Sequence, residues 1–125
     1  MTTRRAACRA VVALVAAGAA LLFAACSATS ATAPRAPVAK VRMVDYGYDP
    51  ADLTVPKDSV IFVVNDGKVA HSWIIPKVGV GTQDLPPGGT QDLDLTGIPP
   101  GTYHVTCDLA GHAALGSVGT ITITK

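Results

Sequence analysis

Cys107, His112 and His71 are the residues of this chain whose types and spacing could do chemistry. Cys107 and His112 bracket four residues in C-D-L-A-G-H at the end of a strand-like run, and His71 lies 36 positions before the cysteine on another apolar stretch. One thiolate and two imidazoles make the soft three-donor set that suits copper, with a fourth position left for a weak axial group. Zinc takes the same donors together with a water, so ligand type alone leaves the metal open. The remaining histidine, His104, falls on the opposite side of the local alternation from Cys107 and is read as a surface residue.

Donors so far apart in the chain meet only if strands carry them to one place. From Val38 onward the pattern is of short apolar runs cut by Gly, Pro and Asp turns, with no helical periodicity sustained over three turns. Val41 to Val44 reads as a strand and Tyr46 to Pro50 as a turn. Leu53 and Val55 begin a second strand, and Val60 to Val64 is a β-branched run expected to be central and buried on both faces. Asn65-Asp66-Gly67 is a tight-turn signal. Val69 to Ile75 is the predicted strand that carries His71, and Pro76 to Thr90 reads as mostly loop. Gln91 to Leu95, Thr102 to Cys107 and Gly119 to Lys125 alternate cleanly, with Tyr103, Val105 and Cys107 sharing one face. About seven to eight strands at this spacing predict an all-β protein, an antiparallel β-sandwich.

The first residues have a different character. Arg4, Arg5 and Arg9 precede an almost unbroken apolar run, Ala10 to Ala25, which leads through small residues into Cys26. That run is too short for a membrane-spanning helix and lacks a basic stop, as in a cleaved signal peptide. Leu22-Phe23-Ala24-Ala25-Cys26 resembles the lipobox of bacterial lipoproteins, in which the cysteine becomes the lipidated first residue. The expected organisation is therefore a signal peptide over 1–25, a flexible small-residue tether over 26–37, and a folded domain over 38–125. With Cys8 lost and Cys26 lipidated, Cys107 is the domain's one thiol, and outside the cytoplasm a metal is its expected holder. From Cys26 onward seven Lys and Arg stand against nine Asp, a formal charge of −2, and no basic pattern suggests nucleic acid.

From Val41 to Lys125 the chain resembles the cupredoxins, the small blue-copper proteins of the plastocyanin and azurin group. The matching features are Asn65 six residues before His71, H-S-W-I-I, P-G-T-Y-H-V-T-C at 100–107, the C-x4-H loop, and the closing G-S-V-G-T-I-T-I. The resemblance implies a Greek-key sandwich and one copper ion held equatorially by His71, Cys107 and His112. It also implies that Asn65 braces the ligand loops and that the backbone N–H of Ser72 lies near the cysteine sulfur. Trp73 is read as core.

The chain departs from the family at Ser117, which stands five residues after His112 where relatives carry the axial methionine in G-M-x-G. A water held by Ser117, the carbonyl of Ala70, or an empty position are the alternatives; Met43 is the one other thioether after the predicted signal peptide. The cupredoxin resemblance implies an electron-transfer protein, expected to be monomeric, and the lipobox implies a lipid anchor at Cys26 on the outer side of a membrane. A transient redox partner would dock on an apolar patch at Leu109, Ala110, Ala113, Ala114 and Leu115. The alternative is a copper-binding or delivery lipoprotein without redox turnover. An enzyme is not expected: a thiol protease needs an oriented third group and an oxyanion-hole helix terminus, and multicopper oxidation needs histidine clusters that three histidines do not supply.

Overall fold

Alternation of apolar and polar residues becomes alternation of buried and exposed faces in the structure, a computed structural model that describes residues 33–125. The predicted signal peptide, the lipid-accepting Cys26 and the first part of the predicted tether lie outside the described residues. In strand β1 (Ala39–Val44) Val41 and Met43 face inward, in β3 (Asp52–Pro56) Leu53 and Val55 do, and in β8 (Gly101–Thr106) Tyr103 and Val105 do. The last strand, β9 (Val118–Thr124), buries Ile121 and Ile123 between outward threonines. Strand β4 (Val60–Asn65) is buried at every position except the half-buried Phe62, in keeping with its place inside a sheet.

Nine strands form among the described residues, the others being β2 (Gly47–Asp49), β5 (Ile74–Ile75), β6 (Val80–Gly81) and β7 (Thr90–Asp94). They make a four-stranded sheet in the order β2-β1-β4-β7 and a five-stranded sheet in the order β3-β9-β8-β5-β6. Inward residues of both sheets, among them Val41, Ile61, Trp73, Leu93, Val105 and Ile121, form one hydrophobic core. The result is an all-β sandwich without helices among the described residues.

Three local features differ from the sequence expectation. Two pairings are parallel, β1 with β4 and β3 with β9, so both sheets are mixed. Period-two alternation fixes which face a strand buries but not the direction of its neighbour, which follows from how the chain crosses between sheets. The Tyr46 to Pro50 turn contains β2, which folds back on β1. Finally, only Ile74–Ile75 of the run from Val69 to Ile75 is a strand. The backbone groups before it are committed elsewhere: His71 exchanges two hydrogen bonds with Leu85, the Ser72 N–H donates to Cys107, and the Trp73 N–H donates to Thr82 Oγ1.

At the other end of β4, Arg35 fastens the incoming chain. Its guanidinium donates to the Asp58 carbonyl, to the Thr96 hydroxyl and, at 2.5 Å, to Asp94 Oδ1. The Val38 N–H then joins the Val60 carbonyl at 2.9 Å as β1 begins.

Candidate metal centre

His71, Cys107 and His112 converge. One donor atom from each lies within 4.8 Å of the others. Nδ1 of His112 is 3.3 Å from Nδ1 of His71 and 3.6 Å from Cys107 Sγ. His71 and Cys107 are buried and His112 is half-buried, whereas His104 faces solvent as its alternation predicts. No other group of three His, Cys or acidic residues of this kind occurs among the described residues.

Each donor is held by a different element. His71 follows β4 through a turn locked by Asn65, which is fully buried. The Asn65 amide donates to the carbonyls of Val69 and Leu85 at 2.8 and 2.7 Å, and its Oδ1 accepts from the Gly67 N–H at 2.8 Å. Leu85 in turn exchanges backbone bonds with His71, so one amide ties both sides of the ligand segment. The brace implied by the family resemblance is thus present.

Cys107 directly follows β8, and the alternation of Tyr103 and Val105 carries on to bring its side chain inward. Its N–H donates to the Ser117 carbonyl at 3.1 Å, joining the two ends of the ligand loop. Within that loop the N–H of Ser117 donates to the His112 carbonyl at 3.0 Å, and overlapping turns run from Leu109 to Gly116. Gly111 and Gly116 take φ of +83° and +119°, which a side chain would strain, and these two residues let the loop fold tightly around His112.

Four neighbours of the site have no role read from the sequence. Asp45, just after β1, has Oδ1 2.6 Å from Nε2 of His71 and Oδ2 accepting from the Lys68 N–H at 2.7 Å. An ionised carboxylate can only accept, so Nε2 carries a hydrogen, and in the neutral imidazole Nδ1 is then the nitrogen with the lone pair. The hydrogen bond from His71, followed by that from Lys68, holds the Asp45 carboxyl below its ordinary pKa. Tyr46 stands edge-on to both imidazoles, with ring centroids 5.5 Å from His71 and 5.1 Å from His112. Asp108 accepts from the Ser72 hydroxyl at 2.5 Å, beside the cysteine. The Tyr48 hydroxyl donates to the Ser72 carbonyl at 2.8 Å, and its pKa is raised by burial first and by the nearby Cys107 and Asp108 next.

Ser117 is fully buried, and its Oγ has no hydrogen-bond partner among the described residues. Met43 and Trp73 lie in the hydrophobic core.

The description "Cupredoxin-like domain" belongs to the family model that matches residues 14–122. The chain belongs to this family. Its cupredoxin-like fold is shared with an auracyanin from Roseiflexus castenholzii, at 20% identity and a TM-score of 0.60 over 70% of this chain and 96% of that one. A plastocyanin from Dryopteris crassirhizoma is similar at 16% identity, with a TM-score of 0.54 over 68% and 99% of the two chains. A copper-containing nitrite reductase from Thermus scotoductus is similar at 20% identity and a TM-score of 0.59, over 74% of this chain but 23% of that one. The fold therefore occurs both as a whole small protein and as part of an enzyme. No curated protein matches by sequence. Family membership and the His-Cys-His cluster together point to a single copper ion as the group held here.

Proposed function

We propose that this chain is an exported, lipid-anchored electron-transfer protein whose cupredoxin-like domain holds one copper ion through Nδ1 of His71, Nδ1 of His112 and Sγ of Cys107. The observation that carries the reading is the convergence of these three donors from two separate segments, with His71 already in the tautomer that offers its Nδ1 lone pair. Copper in such a set supplies one-electron chemistry between Cu(I) and Cu(II). The chain's own part is to keep the donors still: Asn65 holds the His71 segment, and Ser117 closes the loop that carries Cys107 and His112.

The unpartnered Ser117 hydroxyl fits a fourth, weak position. Leaving a buried hydroxyl unpaired costs about 1–3 kcal/mol, a cost relieved if it holds a water against the metal or serves it directly. The Ala70 carbonyl is the other candidate, and the axial methionine of the family is replaced by Ser117. This substitution is also what supports a second reading, a copper-binding or delivery lipoprotein without redox turnover.

Electrons would leave through the half-buried His112, around which Leu109, Ala110, Ala113, Ala114 and Leu115 form an apolar turn. Leu115 is 61% exposed, which suits brief docking with a redox protein. We read the chain as a monomeric carrier rather than a catalyst. Residues 1–25 would direct export, Cys26 would carry the lipid on the outer face of the membrane, and 26–37 would tether the domain.

Copper-loaded protein should show an intense visible thiolate-to-copper band and a reversible one-electron couple, both lost in Cys107→Ala. A band without a reversible couple would favour copper delivery. Stoichiometric binding with no Cys107-dependent band would overturn the proposed site.

A further inference from the structure

One hydrogen beside Cys107 has two possible acceptors. Ser72 is fully buried and directly follows His71. Its backbone N–H donates to Cys107 Sγ at 3.4 Å, and its Oγ lies 3.4 Å from the same sulfur but 2.5 Å from Asp108 Oδ1. A hydroxyl has a single hydrogen to give. An O–H bond to a carboxylate at 2.5 Å is at the short, strong end of charge-assisted bonds, so the carboxylate takes it. The Asp108 N–H donates back to Ser72 Oγ at 3.2 Å, using an oxygen lone pair and fixing the pair reciprocally. Of the two Ser72 donors within reach of the sulfur, only the backbone N–H remains for it.

We infer that Asp108 is a positioning residue that holds the Ser72 hydroxyl away from Cys107, and that Asp108 and Asp45 together bias the metal centre toward its oxidised form. The inference rests on the copper reading above. A hydrogen bond given to the thiolate withdraws charge that Cu(II) needs more than Cu(I) does, so diverting that bond favours Cu(II). Asp45 acts from the other side. Its negative charge on the far nitrogen makes His71 a stronger donor, which again favours the higher charge. Two acidic residues, reaching the centre through different ligands, thus push the couple the same way.

The test uses the full-length protein loaded with copper, with potential and visible spectrum as readouts. Asp108 is exposed, so Asp108→Ala spares the core. It should raise the ratio of the Cu(II) to the Cu(I) dissociation constant about tenfold, as expected for one hydrogen bond to a charged group, and move the thiolate band to shorter wavelength. Ser72→Ala keeps the backbone N–H and should change that ratio less than about threefold, since the lost hydrogen was not on the sulfur. In the Ser72→Ala background, Asp108→Ala should then have no further effect beyond its charge. Asp45→Asn should also raise the ratio. An Asp108→Ala shift of full size in the absence of the Ser72 hydroxyl, or no shift at all, overturns the inference while leaving the copper site standing. Absence of any Cys107-dependent band in the parent overturns both.

Discussion

Asp45 Oδ1 lies 2.6 Å from Nε2 of His71, a side chain with no exposed surface. The carboxylate comes from the end of β1 and the imidazole from the segment after β4, two strands that pair in parallel so that their ends reach the same edge of the sandwich. Whatever disturbs Asp45 is therefore expected to be felt at His71 Nδ1 without any change in the ligands themselves.

Gly67 offers a way to disturb it. A Cβ placed there would overlap Asp45 Oδ1 and meet Asn65 Oδ1 at 3.1 Å. Gly67→Ala should displace the carboxylate and weaken copper affinity on the order of tenfold, the usual scale for losing a hydrogen-bonding partner of a metal ligand. Competition titration with a copper chelator measures it. Affinity equal to the parent's would mean that Asp45 does not orient His71.

The Asn65 brace should appear in stability even without metal. Asn65→Ala removes three side-chain hydrogen bonds, leaving the Val69 carbonyl without the Asn65 donor and the Leu85 carbonyl with only the His71 N–H. At about 1 kcal/mol for each, the metal-free domain should lose about 3 kcal/mol in urea unfolding. Asn65→Asp retains the acceptor for Gly67 but loses both donors, and should fall no less far. A loss below about 1 kcal/mol would show that the turn holds itself.

Ser117 separates metal-free from metal-loaded behaviour. Because its Oγ is buried and unpaired, Ser117→Ala should leave the metal-free domain as stable as the parent or up to about 1 kcal/mol more stable. With copper bound, the same change should shift the reduction potential, and Ser117→Met should shift it again. Voltammetry that finds both variants unmoved would place the hydroxyl outside the metal's reach.

Acid should loosen the fold through carboxylates already committed to partners. Bonds from the Thr96 hydroxyl and N–H, then from Arg35, hold the Asp94 carboxyl down to about 2. Its pKa is depressed on folding, so its contribution is fully present above the ordinary carboxylate value of about 4 and is lost as pH falls toward the folded value. Asp45, shifted in the same direction, adds to this. Through these two groups the metal-free domain should weaken between about pH 4 and 2. Asp94→Asn should flatten part of that slope; an unchanged slope in thermal melts across this range would remove Asp94 from the account.

Much of this was legible in the residues. The alternation in β8 put Cys107 inward and His104 outward, and the β-branched run of β4 declared a buried central strand. That His71, Cys107 and His112 converge was legible once the family pattern was set beside H-S-W-I-I and C-x4-H. What stayed hidden depended on neighbours far apart in sequence. Asp45 sits unremarked just before the predicted Tyr46 to Pro50 turn, and only the parallel register of β1 against β4 brings its carboxylate to His71. Asp108 carries no signal in the sequence that it meets Ser72, 36 positions earlier, at 2.5 Å. The strand predicted over Val69 to Ile75 failed for a related reason: its N–H groups serve a thiol and a hydroxyl, and no hydropathy pattern records that.

The Arg35 clasp has a mechanical consequence. It grips the Asp58 and Asp94 end of β4, while the donors gather beyond Asn65 at the far end of the same strand, roughly 20 Å away for six residues in extended form. Any pull or anchorage applied through the chain before Arg35 is thus delivered to the pole that carries no ligand. The opposite pole, with His112 and its apolar turn, lies a strand's length from that clasp and takes none of the load directly.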